Sequence, residues 1–108
     1  MHIGVPKEIK DHEYRVGLVP SSVRELAHYG HQVYVETQAG LGAGMNDADY
    51  QAAGAIILST PEEIFEASEM IVKVKEPQPN EWKRLRPGQI LFTYLHLAID
   101  SEQAKGLI

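Results

Sequence analysis

Apolar and polar positions along this chain fall into short blocks whose period switches repeatedly between two residues and about 3.6, the signature of alternating strands and helices. Five blocks read as strands: His2–Val5, Gln32–Glu36, Ala55–Leu58, Met70–Val74 and Gln89–Tyr94, all short and rich in β-branched or aromatic residues. The segments between them carry helix signals. Pro20 precedes Ser21 and Ser22, Val23, Leu26 and Ala27 follow at helical spacing, and Gly30 stands ready as a stop. Asn46 is placed to cap a short helix that Gly54 ends. Thr60-Pro61-Glu62-Glu63 combines a threonine cap, a proline at the first helical position and a glutamate at the capping-box spacing. Asn80 opens a turn with Trp82 and Leu85, which Arg86-Pro87-Gly88 breaks, and Asp100-Ser101-Glu102-Gln103 starts a last helix with no strand after it.

Strands separated by helices of this length predict right-handed crossovers and an α/β fold: a doubly wound, mostly parallel, Rossmann-like sheet with helices on both faces. If the strands lie in the common order 3-2-1-4-5, the winding reverses between strands 1 and 4. Ligands of such sheets bind outside the carboxyl ends at that reversal. Arg15, Lys75 and His96 follow strands 1, 4 and 5, so this order would bring three polar groups, distant in sequence, to one cleft.

Composition narrows the classes. The 108 residues, 44% of them hydrophobic, suffice for one domain with a core and are too few for two. A net charge of −5, with no basic run longer than Lys83-Arg84, argues against nucleic acid. Without cysteine there is neither a disulfide framework nor a thiolate metal site, which a reducing compartment would suit. The start lacks a signal-peptide pattern and no apolar run approaches ~20 residues, so a soluble cytoplasmic protein without membrane contact is expected.

The candidate chemistry begins with Met70-Ile71-Val72-Lys73-Val74-Lys75-Glu76-Pro77, where an apolar strand delivers lysines to its end and stops at a proline. Such a lysine either snorkels to the surface or awaits an anion. Lys75 is suited to polarise a carbonyl or hold an anion. Lys73, two residues earlier on the same strand face, is its rival, expected to reach solvent and to tolerate substitution. The competing structural reading has both lysines guarding a sheet edge. Arg15 offers a planar fork that matches a carboxylate; its competing reading is a solvated loop residue paired with Glu13 or Glu8. His96 has a side chain suited to proton transfer near neutral pH, against the alternative of a hydrogen-bonded structural histidine. No pair among the five histidines has metal-ligand spacing, so no metal is expected. Gly40-Leu41-Gly42-Ala43-Gly44 is not the G-x-G-x-x-G dinucleotide fingerprint and follows the second strand rather than the first. A turn of glycines with positive φ is the expectation there.

Four motifs together resemble bacterial L-alanine dehydrogenase, in its amino-terminal part: Ile3-Gly4-Val5-Pro6-Lys7-Glu8-Ile9-Lys10 with Glu13-Tyr14-Arg15-Val16, then Glu36 to Gly44, Val72 to Pro77, and Leu91-Phe92-Thr93-Tyr94-Leu95-His96-Leu97-Ala98. The resemblance covers essentially the whole chain in order. The alpha subunit of nicotinamide nucleotide transhydrogenase is related and shares the opening and the glycine block; it is the alternative, together with a non-catalytic folded fragment. Lys75 to Pro77 and Tyr94 to Ala98 favour the dehydrogenase, and saccharopine dehydrogenases fit less well.

The resemblance implies reversible, NAD-dependent oxidative deamination of L-alanine to pyruvate and ammonia. It implies that Arg15 and Lys75 bind the carboxylate and carbonyl end of the substrate, that His96 is the proton donor and acceptor, and that Tyr94 lines the pocket. Lys75 and His96 would be the catalytic pair, in a family that forms hexamers. Members of that family are about three times this length, with a separate nucleotide-binding domain. Residues 1–108 therefore read as the truncated amino-terminal part of the substrate and catalytic domain. NAD would be bound mainly by the absent domain, no cofactor-binding residue is expected in this chain, and the isolated fragment is expected to be inactive.

Overall fold

The computed structural model describes residues 1–9, 14–75 and 78–93. Five strands form one sheet: β1 (His2–Val5), β2 (Gln32–Glu36), β3 (Ile56–Leu58), β4 (Met70–Lys73) and β5 (Ile90–Thr93). Their spatial order is β3-β2-β1-β4-β5, and every neighbouring pair is parallel. This is the order assumed from the sequence. β1 and β2 have the expected bounds, whereas β3, β4 and β5 are each shorter than their apolar blocks. The chain after Lys73 turns away to be held by a side chain instead of a neighbouring strand.

The helices are α1 (Pro20–His28), α2 (Asp47–Ala52), α3 (Pro61–Ala67) and α4 (Pro79–Trp82). Local chemistry sets their ends. Gly30 leaves α1 with φ 89° and Gly54 follows α2 with φ 108°, backbone conformations in the left-handed region that favours glycine. Asn46 accepts from the Asp49 N–H at 2.9 Å while the Asp49 carboxylate accepts from the Asn46 N–H at 3.0 Å, a reciprocal capping box. Thr60 Oγ1 accepts from the Glu63 N–H at 3.2 Å. The fourth helix starts at Pro79, one residue before the sequence signal at Asn80, because Glu81 reaches back to accept from the Gln78 N–H at 2.9 Å. The helix expected from Asp100 lies outside the described residues.

Strand alternation sends side chains to two cores. Ile3, Val5, Val33, Val35 and Val72 pack on one face with Val23 of α1 and Tyr50 and Ala53 of α2; Ile71 packs on the other with Ile64 and Phe65 of α3. Helices thus cover both faces. Gly4, on the α3 side of β1, leaves room for Ser68 and Ile64, which a Cβ there would strike. Ser68 is fully buried and its hydroxyl donates to the Ile64 carbonyl at 2.7 Å. Gln89 Nε2 donates to the carbonyls of Phe65 and Ser68, each at 2.8 Å, so the approach to β5 is fastened to the end of α3.

β1, β2 and β3 succeed one another in one direction, and β4 then lies on the opposite side of β1. The winding therefore reverses between β1 and β4, and their carboxyl ends face a common edge.

Candidate functional site

At that edge a cavity of about 270 Å³ is lined by Lys7, Glu8, Tyr14, Arg15, Gln38, Ala39, Leu41 and Gly42. Its walls are the segment after β1 and the connection after β2. Arg15 is exposed and also borders a second, more apolar cavity with Val16, Val19, Ala43 and Val74. The guanidinium-bearing segment thus passes between the glycine block and the end of β4. Gly17 makes that passage possible, since a Cβ there would collide with the Val72 backbone. Tyr50 of α2 donates its hydroxyl proton to the Leu18 carbonyl at 2.8 Å and fixes the same segment from beneath. Burial, with Asp49 adding to it, pushes the Tyr50 pKa up to about 12, so the phenol stays a donor.

The connection after β2 is equally constrained. Asp47 accepts from Thr37 Oγ1 at 2.6 Å and from the Gln38 N–H at 2.8 Å. Gln38 is held at φ 66°. The Lys7 N–H donates to Glu36 Oε1 at 2.9 Å, joining the two walls; burial raises the Glu36 pKa, with the Lys7 N–H pulling it down. In the glycine block Gly44 has the expected positive φ, at 83°, whereas Gly40 and Gly42 do not. A Cβ on Gly40 would lie 2.7 Å from the Tyr50 ring, and one on Gly42 would lie 2.9 Å from the Tyr14 carbonyl oxygen. Those two glycines serve close packing against the protein itself.

The lysines behave differently from the sequence expectation. Lys73 is 1% exposed and its ammonium lies 3.0 Å from Glu81 Oε2 and 3.4 Å from Glu8 Oε1. It neither reaches solvent nor awaits a ligand. It is satisfied internally by two buried carboxylates from α4 and from the segment after β1. Nor does it guard an edge, because β4 is interior, between β1 and β5. Lys75 is half-buried, beyond the end of the strand. Its N–H donates to Glu8 Oε1 at 3.2 Å, and the Val74 N–H donates to Glu8 Oε2 at 3.2 Å. Burial pushes the Glu8 carboxyl above its ordinary pKa, opposed by Lys73 and the two backbone donors.

Glu8 therefore joins the candidate residues: it lines the cavity with Arg15 and holds the backbone of Lys75. Sequence reasoning missed it and Glu81. The available signal was an acidic residue just past β1 and a lysine ending the neighbouring strand β4, with opposite charges at adjacent strand ends. His96 and Tyr94 lie outside the described residues. Among the described residues no group of three or more His, Asp or Glu is placed to hold a metal, and no helix is long and apolar enough to cross a membrane.

The family model for the alanine dehydrogenase/PNT N-terminal domain matches residues 4–108. An alanine dehydrogenase of Halomonas elongata is 55% identical over 108 residues, covering 100% of this chain and 29% of that protein. One from Bacillus subtilis is 52% identical over 107 residues, covering 99% and 28%. Among solved structures, an L-alanine dehydrogenase matches with a TM-score of 0.91 at 54% identity, over 99% of this chain and 29% of the other. A transhydrogenase from Sinorhizobium meliloti matches with a TM-score of 0.88 at 27% identity, over 99% and 32%. The chain spans less than a third of the length of each of these proteins.

Proposed function

The chain belongs to the alanine dehydrogenase/PNT N-terminal domain family, and on that premise we propose that it forms the substrate-holding part of an NAD-dependent L-alanine dehydrogenase, a cytoplasmic homo-oligomer. The observation that carries this reading is one cleft at the winding reversal, lined by Arg15 and by the carboxylate that holds Lys75. The transhydrogenase alternative shares the fold, but identities of 55% and 52% to alanine dehydrogenases against 27% to a transhydrogenase weigh for the dehydrogenase.

The described residues do not fit a dinucleotide cradle. Gly40 and Gly42 are packed against Tyr50 and Tyr14, which leaves a pyrophosphate no close approach there. The helix after β1 begins only at Pro20, behind Val19, with no side-chain cap.

The chain's own residues would do the following. Arg15 grips the substrate carboxylate through two charge-assisted hydrogen bonds and so fixes the orientation of the α-carbon. Lys75 donates a hydrogen bond to the substrate oxygen and stabilises negative charge as it develops there. His96 carries the protons that must be exchanged as water adds and ammonia leaves. Tyr94 would line the substrate pocket, as the resemblance implies.

Arg15→Ala in the complete enzyme is expected to raise KM for both alanine and pyruvate, since loss of a charge-assisted anchor costs ~1.5–3 kcal/mol. Arg15→Lys should also be impaired, because a point charge does not reproduce the fork. Steady-state kinetics of both variants check this, and unchanged KM values in the two would return Arg15 to an ordinary loop role.

A further inference from the structure

A carboxylate in the wall of a cleft that binds a carboxylate substrate is electrostatically awkward. Glu8 occupies that position: it lines the cavity beside Arg15, and its side chain is 2% exposed. Its bonding accounts for the choice. One oxygen accepts from the Lys75 N–H, the other from the Val74 N–H, and the ammonium of Lys73 lies 3.4 Å away. Lys73 is in turn held by Glu81 at 3.0 Å. Two adjacent backbone donors past a strand end, where the ladder to a neighbouring strand has stopped, need an acceptor. A glutamate reaching from the next strand supplies both bonds and fixes the direction in which the chain leaves β4. Lys73 supplies the countercharge that lets the carboxylate remain beside an anion site.

We propose that Glu8 is a positioning residue of the reaction, whose carboxylate clamps the backbone of Val74 and Lys75 and thereby aims the Lys75 ammonium at the substrate oxygen. The proposal rests on the reading of Lys75 as the substrate's hydrogen-bond donor. Glu81 shares the buried lysine with Glu8, but its other carboxylate oxygen accepts from the N–H of Gln78, the residue that precedes α4, and neither of these bonds is to Lys75. The two carboxylates thus separate positioning from mere burial of a charge cluster.

The test is a double-mutant cycle in the complete enzyme, with pyruvate and ammonia as substrates. Glu8→Gln keeps the side-chain volume but sets an amide donor against one of the two N–H groups. It should lower kcat by about 10–10²-fold, the scale of a misplaced catalytic group, while KM for pyruvate moves much less because Arg15 still grips the carboxylate. Glu81→Gln should leave kcat within about 3-fold of the wild type, since it does not bear on Lys75. Lys75→Ala should be severely impaired, and adding Glu8→Gln to it should cost less than a further ~3-fold, because nothing remains to be aimed.

A Glu8→Gln enzyme with normal kcat would overturn the proposal, as would a Glu81→Gln enzyme damaged equally. Losses that multiply in the double variant would do the same while leaving the role of Lys75 intact. Normal activity in Lys75→Ala would instead remove the underlying reading. If Glu8→Gln does not fold, Glu8→Asp, which keeps the charge but falls short of the N–H pair, is read through the same cycle. Failure of both to fold would assign Glu8 to folding alone and overturn the proposal.

Discussion

Replacing His96 with alanine in the complete enzyme is expected to lower kcat by roughly 10²–10⁴-fold, the usual worth of a positioned general acid–base group. It should also abolish one limb of the pH–rate profile near the imidazole value of ~6.5. β5 runs parallel beside β4, with Phe92 opposite Val72 and Thr93 opposite Lys73. The chain therefore leaves β5 at the edge where Glu8 holds the Lys75 N–H, and His96 follows Thr93 by three positions in sequence. Interconversion of an amine and a ketone exchanges protons at several oxygen and nitrogen atoms, a task suited to an imidazole near neutral pH. Near-normal kcat with an unshifted profile would remove the proton shuttle from the mechanism.

Lys73→Ala should destabilise the fold by ~3–5 kcal/mol at neutral pH, the cost of removing one partner from a buried ionic cluster. Glu8 and Glu81 would be left facing each other, each side chain 2% exposed. The pH dependence follows from Glu8, whose pKa is already raised from 4.5 by burial. A carboxyl that binds its proton more tightly when folded contributes stability that is present below its unfolded pKa and is lost as pH rises through its folded value. Without Lys73, which pulls the Glu8 pKa down, the folded value moves higher still. The penalty of the variant should therefore grow from about pH 4.5 upward and shrink toward acid. Urea unfolding of wild type and Lys73→Ala across this pH range measures it; a variant as stable as the wild type at pH 7 would contradict the burial of this ammonium.

This second expectation reverses what the sequence suggested, for a definite physical reason. Period-two alternation puts Lys73 and Lys75 on one strand face only while the strand continues, and β4 ends at Lys73. What decides between the two lysines is the position of Glu8, 65 residues earlier, and of Glu81 on α4. Neither contact has a local signal. The strands and caps were legible because their causes are local: Thr60 and Asn46 meet their partners three residues away, and β1 and β2 are bounded by their own apolar runs. The strand order was legible only as a choice among a few topologies; it accounts for Arg15 lining a cavity at the reversal, while His96 lies outside the described residues. The glycine block was half legible. Gly44 answers to backbone conformation, whereas Gly40 and Gly42 answer to Tyr50 and Tyr14, whose approach is tertiary.

Arg15 and Lys75 are expected to grip a small 2-oxo acid at the edge where the winding reverses between β1 and β4, while Lys73 is occupied by Glu8 and Glu81. A crystal structure of the complete protein with pyruvate bound tests it most directly. The expected result is the pyruvate carboxylate paired with the Arg15 guanidinium and the keto oxygen within hydrogen-bond reach of Lys75 Nζ, with Lys73 still on its two carboxylates. Pyruvate bound away from Arg15, or reached by Lys73 in place of Lys75, would contradict it.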